Sequence, residues 1–154
     1  MRESGVLDLN SPYCYLILCK DFAETCVIAE QDRELVGFLT AYRPSTHPEA
    51  VFVWQIGVSE AARGQGLGTA MLLSLLDRDT CRNVAYLEAT VTASNVQSRR
   101  LFQSVARRLH TRFAEQAGFG EELFPDGRHE AEWLIRIGPL QKSNQRNGEH
   151  SEND

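Results

Sequence analysis

Apolar positions along the chain fall into two kinds of block. Short runs rich in β-branched residues and bounded by turn residues predict strands at residues 25–30 (TCVIAE), 35–42 (LVGFLTAY), 51–58 (VFVWQIGV), 84–91 (VAYLEATV) and 132–137 (EWLIRI). The turn "QDRE" joins the first two as a hairpin, and "RPSTHPEA", with its two prolines, reads as a loop. Other blocks follow the helical period. Leu67, Met71 and Leu75 share one face of a helix over 67–76, and Ser98, Leu101, Phe102, Val105 and Leu109 form an i, i+3, i+4 stripe on a helix that starts at Ser94-Asn95. Ser11-Pro12, an N-cap followed by a first-turn proline, predicts a short helix in "PYCYLILCKDF". No clear period runs from His110 to Gly127. The order helix, β, β, β, α, β, α, β predicts a mixed α/β sheet in one domain over residues 1–140. The polar residues 141–154 are expected to form a disordered tail.

Composition narrows the partners. The 154 residues suffice for one domain with a proper core. A formal charge of −5 argues against nucleic acid, which requires a basic surface, and suits a cationic small substrate. No apolar run reaches the roughly 18 residues of a membrane helix, and no signal-peptide pattern opens the chain, so a cytoplasmic protein is expected. Cys14, Cys19, Cys26 and Cys81 form no C-x-x-C pair and the histidines are scattered, so no metal site is expected. Cys14, Cys19 and Cys26, in apolar stretches, read as small core residues. His47 and His150 are read as loop and tail residues.

The candidate chemistry centres on "VSEAARGQGLGTAML", residues 58–72, where Gly64, Gly66 and Gly68 alternate behind Arg63 at the start of a helix. Such a cluster brings backbone N–H groups and a positive helix end towards an anion. It is neither of two common phosphate motifs: no Lys-Ser or Lys-Thr follows, and the third glycine arrives one residue early for a dinucleotide fingerprint. The stretch "RGQGLG", preceded by "WQIGVSE", resembles the Q/R-x-x-G-x-G/A loop of the GCN5-related N-acetyltransferases (GNAT). That resemblance implies a GNAT fold, a mostly antiparallel sheet flanked by helices, with acetyl-CoA as co-substrate and its pyrophosphate on Arg63, Gly64, Gln65, Gly66, Leu67, Gly68 and Thr69. "NVQSRRLF" is similar to the family's N-x-x-A/S-x-x-L-Y segment. It implies that Asn95 and Ser98 lie along the pantetheine arm, with Phe102 where the family often has a proton-donating tyrosine. Strand residues Ile56, Gly57 and Val58 would run beside the thioester and offer a backbone N–H to its carbonyl.

The blocks "LDLNSPYCYLILCKDFAETCVIAE", "LEATVT" and "HEAEWLIRIGPL", taken with the glycine loop, resemble the branch of that family that acetylates L-2,4-diaminobutyrate for ectoine synthesis. The likeness implies a diamine amino acid as substrate, osmoprotection as purpose and a homodimer. Relatives usually carry a first strand ahead of "LDLNS"; this chain starts almost on that segment, so either its start is trimmed or the first edge strand is missing. Where relatives read H-E-x-E-H, this chain has Trp133 in place of the last histidine. A dicationic amine needs carboxylates and a proton acceptor. Asp8, His129 and Glu132 are the candidates for that acceptor. Asn10, Trp54, Gln55 and Glu88 join them as candidate walls of the amine pocket, with Glu88 equally open to a structural ion pair. Two other readings stay open: an acetyltransferase for another small diamine or an antibiotic amine, and a non-catalytic acyl-CoA-binding module.

Overall fold

The computed structural model describes residues 10–125, 127 and 129–141. Nine regular elements follow in order: α1 (Pro12–Asp21), β1 (Val27–Gln31), β2 (Glu34–Tyr42), β3 (Ala50–Val58), α2 (Leu67–Asp77), β4 (Tyr86–Thr92), α3 (Val96–Arg108), β5 (Phe113–Phe119) and β6 (Glu132–Ile137). The predicted caps hold. Ser11 accepts from the Cys14 N–H at 3.3 Å, and Asn95 Oδ1 accepts from the Ser98 N–H at 3.1 Å.

The strands form one six-stranded sheet in the order β1-β2-β3-β4-β6-β5. Only β3 and β4 pair parallel. The segment after His110, without a helical or alternating pattern, contains β5, a strand the sequence reading lacks. Its side chains are almost all exposed, so it leaves no apolar signature. It exists because β6 inserts between it and β4 and pairs with both. A β-bulge near Gly118 brings the two backbones together: a Cβ at Gly118 would lie 2.6 Å from the Glu132 carbonyl oxygen, so only glycine fits. Among the described residues the sheet begins with β1. A strand ahead of Asn10, the tail 142–154 and Asp8 all lie outside the described residues.

The core sits on one face of the sheet. Leu39, Ala41, Val51, Val53, Leu87, Ala89, Ile135 and Ile137 point into it, against Met71, Leu72 and Leu75 of α2 and Phe102, Val105 and Ala106 of α3. The opposite face is polar and aromatic, with Tyr42 against Phe52, Glu88 against Arg136, and Thr40 beside Gln55. The helix α1 buries only Leu18, and Tyr13 and Leu16 are 70% and 66% exposed. The cysteine expectation holds only in part. Cys81 is buried, Cys14 and Cys26 are half-buried, but Cys19 is exposed because it faces away from the one anchored side of α1. Burial pushes the Cys26 and Cys81 thiols up, which keeps them protonated and unreactive. Among the described residues no helix is long and apolar enough to cross a membrane.

Candidate active site

The sheet is closed at one end and open at the other. The parallel pairing of β3 with β4 runs from Ala50–Tyr86 only to Val53–Ala89. Beyond that point β2 alone holds β3, to Val58, and β6 alone holds β4, to Thr92. The break coincides with a bulge at Trp54. Ala41 faces Val53 and Thr40 faces Gln55, which leaves Trp54 as the extra residue of β3. The bulge swaps the faces: Val51 and Val53 point to the core before it, Ile56 and Val58 after it. Trp54 itself is 46% exposed, so it is a surface residue at the split and not part of the core.

The ladder fixes where the free backbone groups point. The Ser59 N–H donates to the Val36 carbonyl at 2.8 Å, so Ser59 and Val36 are a hydrogen-bonded pair. Alternation along an antiparallel ladder makes Gly57 with Phe38 the next such pair. The N–H groups of Ile56 and Val58 therefore point away from β2, into the split. The Val58 carbonyl does the same and accepts from Arg63 Nε at 3.4 Å.

Above the split lies a cleft lined by Ile56, Gly57 and Val58 of β3, by residues 62–64 and 66–69, and by Asn95, Gln97, Ser98 and Leu101 at the start of α3. Gly66 is the N-cap of α2 at φ +79°, a left-handed conformation, and provides no side-chain cap. The first hydrogen bond of α2 runs from the Ala70 N–H to the Gly66 carbonyl, so the Leu67, Gly68 and Thr69 N–H groups have no helical partner. Gly64 is also left-handed, at φ +77°. An added Cβ at Gly64 or Gly66 meets nothing within 4 Å, so here glycine is required by backbone conformation and by what must approach, not by a neighbouring side chain. This donor set, with the positive end of α2, fits a diphosphate, and the neighbouring split fits the thioester arm of an acyl-CoA.

Two cofactor-binding candidates from the sequence lie elsewhere. Gln65 does not line the cleft, because its amide donates back to the Ala61 carbonyl at 3.4 Å. Phe102 is 2% exposed in the core and is not a cleft residue. Three wall residues, Ala62, Gln97 and Leu101, are not among the sequence candidates. Leu101 reads from its spacing as a core residue, yet it also packs 3.1 Å from where a Gly68 Cβ would stand.

The amine-side candidates divide into three groups. Asn10 Nδ2 donates to the Tyr15 hydroxyl at 3.5 Å, and that hydroxyl donates to Oε1 of buried Gln55 at 3.4 Å, tying α1 to β3 just past the bulge. His129 and Glu132 meet at the open end of the β4–β6 ladder, where Glu132 faces Thr92: Nε2 lies 3.5 Å from Oε1, and Glu132 Oε2 is buried without a hydrogen-bond partner among the described residues. Glu88 stands apart. Its carboxylate receives Arg136 Nε at 2.6 Å and NH2 at 2.5 Å, while the guanidinium stacks 4.7 Å over Tyr86. It sits four positions from Thr92 along β4, or roughly 13 Å, so the structure places it in an ion pair. Among the described residues no three His, Cys, Asp or Glu side chains gather to hold a metal.

A parallel pair of strands that parts at a bulge, above a glycine-started helix, defines the fold class of acyl-CoA-dependent N-acyltransferases. The profile of the acetyltransferase (GNAT) family matches residues 4–106, and the chain belongs to that family. It is 52% identical over 138 residues, 90% of this chain and 73% of the relative, to the L-2,4-diaminobutyric acid acetyltransferase of Halalkalibacterium halodurans. It is 49% identical over 140 residues, 91% of this chain and 81% of the relative, to that of Marinococcus halophilus. Among solved structures it is similar to diaminobutyrate acetyltransferase EctA from Paenibacillus lautus, in complex with L-2,4-diaminobutyric acid and coenzyme A. That match has a TM-score of 0.87 and 44% identity and covers 93% of this chain and 87% of that one.

Gly66→Val tests the cleft. A β-branched residue is poorly tolerated at φ +79°, and its methyls would stand between a phosphate and the α2 donors. The KM for acetyl-CoA is expected to rise roughly tenfold or more, the loss of one or two charge-assisted hydrogen bonds, with the amine KM little changed. Isothermal titration with CoA and steady-state kinetics on the folded variant check this.

Proposed function

We propose that the chain transfers the acetyl group of acetyl-CoA to the N4 amine of L-2,4-diaminobutyrate, releasing CoA, as a step of ectoine synthesis and osmoprotection. The observation that carries this is the split itself. Inward-pointing N–H groups of Ile56 and Val58 lie between an anion-binding helix start and, on the neighbouring β4–β6 ladder, a carboxylate–imidazole pair. The relatives supply the substrate: their names and the bound molecule of the similar structure point to diaminobutyrate.

Acetyl-CoA supplies an acetyl thioester, an electrophilic carbonyl. The residues of the chain do the rest. The Leu67, Gly68 and Thr69 N–H groups hold the pyrophosphate, and Asn95 and Ser98 flank the pantetheine arm. Glu132 takes a proton from the N4 ammonium, which frees the nitrogen lone pair to form the new C–N bond. The Ile56 or Val58 N–H donates to the carbonyl oxygen as it gains negative charge. The nitrogen, now positively charged, gives up a second proton to solvent, the C–S bond breaks, and the departing thiolate takes a proton from solvent. Phe102 has no proton to give, and its burial in the core suits a solvent route. Gln55 and Trp54, on either side of the bulge exit, border the amine; Asp8 adds a second carboxylate. Residues 1–140 form the acetyltransferase domain and 141–154 a polar tail without a role in turnover. The exposed apolar side of α1, with Tyr13 and Leu16, supports a homodimer. A cytoplasmic location is part of this proposal.

The test is thiol release from acetyl-CoA by the purified full chain with diaminobutyrate, ornithine, lysine and polyamines, followed by NMR of the product. Diaminobutyrate should give the highest kcat/KM, with acetylation at N4. A faster rate on another diamine would reassign the substrate, and no thiol release with any amine would leave an acyl-CoA-binding module.

A further inference from the structure

We infer that Phe124 is a positioning residue that locks His129 as its Nδ1–H tautomer and thereby aims the Nε2 lone pair at Glu132 Oε1, ready to share the proton that Glu132 takes up. The inference deepens the reading of Glu132 as the proton acceptor and rests on it for its catalytic consequence. The Phe124 ring stacks on the His129 imidazole with centroids 3.9 Å apart and planes 13° from parallel. His129 Nδ1 lies 2.7 Å from the Glu130 carbonyl oxygen. A carbonyl only accepts, so Nδ1 carries the hydrogen. In a neutral ring Nε2 is then a lone pair, and it faces Glu132 Oε1 at 3.5 Å. A proton taken up by Glu132 can be shared across this contact. Glu132 Oε2, buried and without a hydrogen-bond partner among the described residues, is left as the oxygen that needs a donor. An amine N–H meets that need.

Phe124 matters because the imidazole cannot turn about its Cβ–Cγ bond without sweeping into a ring 3.9 Å away. A second fastening holds the same segment. The Glu130 carboxylate accepts from the Ser94 N–H at 3.2 Å, one residue before Asn95 of the cleft wall. The acid–base pair is thus tied to the helix that borders the co-substrate cleft.

The experiment reads the tautomer directly. Long-range nitrogen-15 correlation spectra of the full chain at alkaline pH, with the His129 signal assigned through His129→Gln, should show a protonated Nδ1 and an unprotonated Nε2. In Phe124→Ala the signal should move towards the Nε2–H form that a free histidine side chain prefers, and in Phe124→Tyr it should stay. The kcat of Phe124→Ala should fall roughly tenfold or more, as misplacement of an acid–base group does, with the acetyl-CoA KM unchanged and the Phe124→Tyr rate near the parent's. Phe124→Leu, which keeps volume without a flat ring, replaces Phe124→Ala if the latter does not fold. An Nε2–H tautomer in the parent, or an unchanged tautomer in the folded Ala or Leu variant, overturns the lock. A changed tautomer with parental kcat overturns the catalytic consequence, while Glu132→Gln decides the role of Glu132 and thiol release in the parent decides the acetyltransferase reading separately.

Discussion

Glu132→Gln is expected to lower kcat by roughly a hundredfold or more, the range over which a positioned general base contributes, with little change in the KM for acetyl-CoA. The substitution keeps the shape of the side chain and removes its basicity. Its two oxygens have different surroundings: one faces His129 Nε2, and the other is buried with no partner among the described residues. An amide nitrogen in either place cannot take a proton from an ammonium. The variant should fold, because its ladder partner Thr92 and the Gly118 approach involve only its backbone. Stopped-flow thiol release and the pH dependence of kcat/KM on diaminobutyrate check this. Parental turnover with an unchanged pH profile would take Glu132 out of the reaction and leave Asp8 as the next carboxylate to test.

The second large effect falls on stability. Arg136→Ala should destabilise the chain by about 3 kcal/mol, the lower end for breaking a buried ion pair, because the Arg136 side chain is 36% exposed and water screens part of the interaction. Glu88 is 5% exposed, and removing the guanidinium takes away the cation that compensates its charge in the sheet. Loss of the stack on Tyr86 adds to the cost. For a chain of this size the melting temperature should drop by roughly 6–12 °C. The double variant Glu88→Gln/Arg136→Met removes both charges together and should recover most of that loss. Calorimetric scans of the three proteins decide it. A parental melting temperature for Arg136→Ala would mean that Glu88 relies on some other group.

The sequence alone determined much of this protein. The caps at Ser11 and Asn95, the helices α2 and α3, and strands β1, β2, β3, β4 and β6 were legible because each carries a local signature: a hydroxyl or amide before a helix, a period, a β-branched run. The glycine loop was legible for a similar reason, since the left-handed Gly64 and Gly66 announce a backbone conformation that other residues resist. What the sequence left undecided depends on pairing between distant segments. β5 has exposed side chains at every position but Phe113 and exists only because β6 inserts beside it. Trp54 becomes a bulge through the register of β2 against β3, and no single strand encodes that register. Glu88 had two open readings until β6 brought Arg136 onto it. Phe102, in the position of a family acid, and Gln65, inside the motif, are turned from the cleft by helix packing and by a local carbonyl. Tertiary structure also brought Phe124 onto His129, a contact between residues whose local pattern carries no period. Local conformational preference is written residue by residue; the meeting of side chains from separate strands is settled only when burial of the common core fixes which strands lie side by side.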